Sequence, residues 1–170
     1  MKKIINIIVL LLAATFLFCS CQKKSLSCEE LLHIGLEYGI DSYFESGYIF
    51  LKNDDKSSVF FMPLKAKETM YGQKFIDALE ATKDFAIYVS SSSPYEMAVF
   101  ECYSRNDADI LLRMCYERAD ELKVGLRFSE WENASKLIDI QVYKNYVIFV
   151  FTDSESRNEG TIESIKALLR

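Results

Sequence analysis

The sequence predicts an α+β fold: an antiparallel sheet made of strand–strand–helix units, with helices packed on at least one face. Three observations carry this. Residues 84–103 hold two strand patterns across a Ser-rich loop, and a long amphipathic helix follows to about Leu126. A shorter strand–turn–strand–helix series starts at Leu137. Ahead of both, Ser27-Cys28-Glu29-Glu30 is an S-x-x-E capping box, so an N-terminal capped helix opens the folded part.

In that first helix, Leu31, Leu32, Ile34, Leu36 and Tyr38 supply apolar surface, and Gly39 ends it. Residues 47–52 and 58–62 read as two strands, with Asn53-Asp54-Asp55-Lys56 as the turn of a hairpin and Pro63 as its stop. From about Gln73 to Ala81 a short helix buries Phe75, Ile76 and Leu79. Phe85, Ile87 and Val89 then alternate with Ala86, Tyr88 and Ser90, the period of a half-buried strand. Ser91-Ser92-Ser93-Pro94 is a loop, and Met97 to Tyr103 returns antiparallel.

Asn106 or Asp107 caps the long helix. Its Ala108, Leu111, Leu112, Cys115, Ala119 and Leu122 form one apolar stripe, while Arg113, Glu117, Arg118, Asp120 and Glu121 face water. Residues 128–136 form a short helix carrying Trp131. Leu137 to Tyr143 and Tyr146 to Thr152 make a tight hairpin across Lys144-Asn145, Asn tolerating positive φ. A polar loop from Asp153 to Gly160 leads to the last helix, which buries Ile162, Ile165, Leu168 and Leu169. The two units read either as an internal pseudo-repeat or as a shared local topology.

Val99-Phe100 and Ile148-Phe149-Val150 are apolar on both strand faces, the pattern of central strands covered twice. Coverage by the chain's own helices is expected to be incomplete. That leaves an aromatic interaction surface drawn from Tyr88, Tyr103, Tyr143 and Tyr146.

The first twenty residues are a processing segment. Lys2 and Lys3 precede an apolar run from Ile4 to Phe18, shorter than the roughly 20 residues of a bilayer span and matching a secretory core. Ser20-Cys21 and the polar Gln22-Lys23-Lys24 follow. The pattern resembles a bacterial lipoprotein signal, in which a small residue precedes the cysteine that is lipidated and becomes the new N-terminus. It implies lipidation at Cys21; a plain secretion signal or an uncleaved anchor is the competing reading. The expected organisation is a signal peptide over 1–20, a tether over 21–26 and a single domain over 27–170.

Loss of Lys2 and Lys3 with the leader takes the chain from a net charge of −5 to −7, with 18 basic against 25 acidic side chains. No clustered basic face suggests nucleic acid. Cys28, Cys102 and Cys115 remain, an odd number without a C-x-x-C pair, which fits neither a zinc site nor a disulfide scaffold. Cys115 lies on the apolar stripe and reads as core.

The only histidine, His33, shares a helical stripe with Glu29 and Glu37 at i+4 steps. Three ligands on an exposed helix make a poor metal site, so the stripe reads as a solvated face. Asp107 and Asp109 suit the first turn of a helix dipole, and Asp54-Asp55 suits a turn. Asp153, Glu155 and Glu159 lack EF-hand spacing and are interrupted by Arg157. Ser90 to Ser93 reads as a hairpin loop rather than a ligand rim. P-loop, G-x-G-x-x-G and G-x-S-x-G patterns are absent, and no cofactor or metal is called for.

Glu96-Met97-Ala98-Val99-Phe100 entering a charged helix, Asn145-Tyr146-Val147 leading to Asp153, and Tyr71-Gly72 together resemble the domain-of-unknown-function family 4358. The likeness runs from about Tyr71 to the C-terminus. It implies a small bacterial cell-envelope lipoprotein and carries no catalytic residues. The expectation is therefore a membrane-anchored, extracytoplasmic binding or assembly module with an envelope protein partner, rather than an enzyme. The alternative is a small envelope hydrolase whose carboxylates act without histidine.

Overall fold

The computed structural model describes residues 26–39, 47–52 and 55–170. The chain runs through α1 (Cys28–Gly39), β1 (Gly47–Leu51), α2 (Leu64–Tyr71), a 3-10 turn (Gln73–Phe75), α3 (Ile76–Glu80), β2 (Asp84–Ser90) and β3 (Glu96–Glu101). It continues through α4 (Arg105–Gly125), α5 (Glu132–Ser135), β4 (Asp139–Tyr143), β5 (Tyr146–Phe151) and α6 (Glu155–Leu169). The fold is α+β, with five strands in the order β1-β2-β3-β5-β4 and every pair antiparallel. β5 is inserted between β3 and β4, so those two run parallel and α4 is the crossover between them.

Adjacent residues of a strand point to opposite faces, and this sorts the helices into two layers. Met97 meets α1 at Gly35, while Glu96 meets Arg118 of α4. α1 and α6 pack together on the Met97 face; α4, with α2, α3 and α5 around it, covers the Glu96 face. Every residue of β3 and β5 is buried. Phe85, Phe100, Phe149 and Phe151 fill the α4 side, each contributing about 1.5–3 kcal/mol by burial. Tyr95 stands edge-on to both Phe151 and Trp131, which brings the α5 region onto the same layer.

The two hairpin–helix units send α4 and α6 to opposite faces, so their likeness is local topology and not symmetry. This also overturns the expected gap in coverage. The central strands are covered on both faces by the chain's own helices, and the aromatic surface loses its basis.

Other expectations shift for local reasons. The 58–62 run is a series of turns with one parallel bridge, Leu51 to Phe61. Asp55 Oδ1 accepts from the Ser57 amide at 2.9 Å and Ser58 Oγ from the Phe60 amide at 3.2 Å; these side chains outcompete a ladder. β1 pairs with β2 instead. Pro63, read as a stop, is the N-cap of α2, whose extended φ/ψ suits helix entry. The cap of α4 is Ser104, not Asn106 or Asp107, with Asp107 closing the box from the third helical position. In the β4–β5 turn it is Lys144, not Asn145, that takes positive φ, at 55°. The Asn145 side chain donates instead to the Cys102 carbonyl at 2.7 Å.

α6 starts at Glu155, six residues earlier than the end of the expected loop allows. Its buried face is Asn158, Thr161, Ile162 and Ile165, while Leu168 is exposed. Gly160 lies inside it and faces α1: a Cβ there would come 2.1 Å from the ring of Tyr38, an exposed side chain.

Candidate functional site

One end of the sheet carries a row of polar side chains. Asp84 lies directly opposite Glu101, and Glu101 opposite Tyr146, so three side chains form a row across β2, β3 and β5 on the α1 face. The head of α1 sits on this row. The Cys28 amide donates to Asp84 Oδ2 at 2.8 Å, the Ser27 amide to Glu30 Oε2 at 2.9 Å, and the Glu30 amide to Ser27 Oγ at 3.1 Å. The expected capping box is therefore formed, and a carboxylate from the sheet adds a third cap.

Lys83 Nζ donates to Glu101 Oε1 at 2.7 Å, and Tyr146 hydrogen-bonds the same carboxylate. Leu26, Glu29, Lys83, Asp84 and Glu101 line an open hollow of about 500 Å³. Burial pushes the Cys28 thiol far up, and the Asp84 and Glu101 charges push it further. Burial and then Glu101 raise Tyr146 in the same way. A neutral thiol and a neutral phenol are poor nucleophiles. Asp84 and Glu101 are the paired carboxylates that a hydrolase would need, but the first is engaged in capping and the second in an ion pair.

A second hollow of about 280 Å³ opens on the other face of the same end. Leu51, Met62 and Phe85 form apolar wall, with Phe61 and Leu64 beside them. Three lysines reach it: Lys52, Lys56 and Lys67. Lys67 is buried, pairs with Glu80, and lies 5.8 Å from the centre of the Phe61 ring. Lys52 Nζ donates to the backbone carbonyls of Glu80, at 2.9 Å, and Thr82, where α3 ends. Lys56 is exposed and has no ionic partner among the described residues. Among the described residues of the lining Glu80 is the carboxylate, so three ammonium groups face one acid there.

Away from both hollows, Glu96 is buried at the start of β3 and receives Arg118 from α4, Nε at 3.0 Å and Nη2 at 2.8 Å on one oxygen. The Tyr71 hydroxyl donates to the other oxygen at 3.3 Å. Burial opposes the Arg118 charge, and Glu96 outweighs it, holding its pKa above the usual value. Cys115 lies beside this cluster, its thiol raised by burial and then by Glu96. Arg118, expected in water, is thus an inward arm of α4. The cluster is enclosed and pins α2 and α4 to the sheet.

The proposed interaction residues do not come together. Tyr88 is 0% exposed, packed over Gly47, where a Cβ would come 2.1 Å from its ring. Tyr146 is buried in the row above, Tyr143 is half-buried, and Tyr103 alone is widely exposed, at 74%. Glu29 and His33 stand 3.9 Å apart, both side chains substantially exposed, and Glu37 is exposed. Among the described residues no three His, Cys, Asp or Glu side chains gather as a metal would require. Ser90 Oγ accepts from the Ser92 and Ser93 amides, at 3.3 and 3.2 Å, as a hairpin loop does. Arg157 pairs with Asp153 at 3.1 Å one turn away. Cys28, Cys102 and Cys115 are buried free thiols. The leader, Cys21 and most of the tether lie outside the described residues, among which no helix is long and apolar enough to cross a membrane. Sequence reasoning passed over the lysine hollow, because its members are spread over 52–67 and become neighbours only when β1, α2 and α3 meet. No family model, curated protein or solved structure matches the chain, so the family resemblance rests on the quoted motifs alone.

Proposed function

We propose that the chain is a lipid-anchored, extracytoplasmic cell-envelope protein whose single domain works as a binding module at the membrane surface. The observation that carries this reading is the short distance between the lipidation pattern and the fold. Ser20-Cys21 follows the apolar leader, and the capping box begins at Ser27. Six residues span at most about 20 Å when extended. An anchor at Cys21 therefore holds the head of α1, and with it the end of the sheet that carries both hollows, close to the lipid surface. The engaged carboxylates of Asp84 and Glu101 and the buried, neutral thiols support binding over catalysis.

Metabolic labelling with palmitate and membrane fractionation test the anchor. Cys21→Ala is expected to lose label and either leave the membrane or retain its leader, while Cys19→Ala stays labelled and membrane-bound. Equal labelling of the two variants overturns the assignment.

A further inference from the structure

We propose that the lysine-lined hollow binds a phosphate group carrying a short polyol and an apolar tail, the chemistry of an anionic phospholipid headgroup; the membrane as its source rests on the anchor reading above. Charge is the first ground. In a chain of net charge −5, Lys52, Lys56 and Lys67 converge on a hollow whose lining, among the described residues, holds one carboxylate, that of Glu80. Glu80 is occupied by Lys67, and Lys52 is oriented by the two carbonyls that end α3. Among the described residues two positive charges are left for an anion, that of Lys52 held in place before it arrives.

Shape is the second ground. Leu51, Met62 and Phe85 make an apolar wall next to the ammonium groups, which a bare inorganic anion would leave unused. The volume of 280 Å³ equals that of about nine liquid waters, enough for a phosphate with a glycerol unit and too little for acyl chains. Chains would have to extend outward, past exposed Leu64.

Position is the third. Phe85 of the wall follows Asp84, and Asp84 caps the α1 head to which the tether connects. The hollow is thus on the end of the domain that an anchor at Cys21 would hold nearest to headgroups.

The test uses the full chain in an uncharged detergent, titrated with monomeric dihexanoyl phosphatidylglycerol, dihexanoyl phosphatidylcholine and inorganic phosphate. Binding is read by calorimetry and by amide shifts at Lys52, Lys56 and Leu64. The expected result is saturable binding of the phosphatidylglycerol, at least tenfold tighter than either of the others. Lys56→Glu, a change at an exposed residue, is expected to weaken it at least tenfold with an unchanged melting temperature, and Lys52→Gln to weaken it similarly. Absence of saturable binding, or indifference to Lys56→Glu, overturns the site. Equal affinity for phosphate overturns the lipid as its source. Monomeric lipid reaches the hollow whether or not Cys21 is acylated, so failure here and failure of the anchor assignment are separately visible.

Discussion

Arg118 of α4 places two nitrogen donors, Nε and Nη2, on the same carboxylate oxygen of Glu96 in β3, inside the layer between helix and sheet. The Arg118 side chain is 17% exposed and that of Glu96 1%. Removing one partner strands the other. Glu96→Ala is expected to destabilise by about 3–5 kcal/mol, because Arg118 is then buried uncompensated. Replacing both, Glu96→Met with Arg118→Leu, should recover most of that loss, since an apolar pair of similar volume avoids desolvating charge. Urea unfolding of Glu96→Met, Arg118→Leu and the double completes the cycle; additive losses would mean that the residues do not act as a pair.

The buried thiols give the domain an alkaline limit. Burial, then Asp107 and Glu101, push Cys102 up to about 11 from 9.0, and Cys28 and Cys115 are raised as well. The unfolded chain releases these protons near pH 9, whereas the folded chain holds that of Cys102 until about pH 11. Stability is therefore intact below pH 9 and falls as pH climbs through 11. Unfolding midpoints measured from pH 7 to 11 should show this decline, and Cys102→Ala should flatten part of it. Iodoacetamide at pH 8 should leave all three residues unlabelled by peptide mass spectrometry until denaturant is added.

Two glycines hold α1 and α6 together, and they should respond differently to a methyl group. A Cβ on Gly35 would meet buried Met97 Sδ at 2.8 Å and buried Ile165 Cδ1 at 3.0 Å. On Gly160 it would meet the Tyr38 ring, which is exposed enough to swing away. Gly35→Ala should cost about 1–3 kcal/mol through overpacking. Gly160→Ala should be neutral or stabilising by up to about 1 kcal/mol, the helix-propensity gain. Thermal melts in the same buffer rank the two; an equal loss would mean that Tyr38 is held as firmly as the core.

The strands β2 to β5 were legible because apolar alternation and polar turns bound them locally, and the Ser27 box because both its members lie within one helical turn. What escaped reading depends on partners distant in sequence. Glu96 looks like a strand-edge acid until Arg118, 22 positions later, turns inward to it. The LKAKETMY segment, α2, has little apolar contrast, and its buried residues Lys67, Met70 and Tyr71 acquire meaning only against α3, α4 and Glu96. The site was least legible of all: aromatic residues suggested a surface, yet sheet coverage buries Tyr88 and Tyr146, while scattered lysines form the hollow.

Asn158 shows the same long-range logic and supports the last prediction. Assigned by sequence to a polar loop, it is buried in the first turn of α6, where its side chain clasps two other elements. Its Oδ1 accepts from the Thr152 amide at 3.0 Å and the Thr152 hydroxyl at 2.6 Å, and its Nδ2 donates to the Leu137 carbonyl at 2.6 Å. The clasp closes the end of β5 onto the approach to β4. Asn158→Ala leaves the Thr152 amide and the Leu137 carbonyl without this partner, at about 1–3 kcal/mol for each buried group. A total loss of about 2–6 kcal/mol is expected, and a loss below about 0.5 kcal/mol would show that the clasp is not holding. Asn158→Asp adds a pH signature. The carboxylate keeps the Thr152 bonds but cannot donate to Leu137, and burial raises its pKa; protonation restores a donor. The Asp variant should therefore gain stability relative to the parent as pH falls from 7 to 5 and lose it again as pH rises. A pH-independent difference between the two proteins would place the defect in packing instead of in the lost donor.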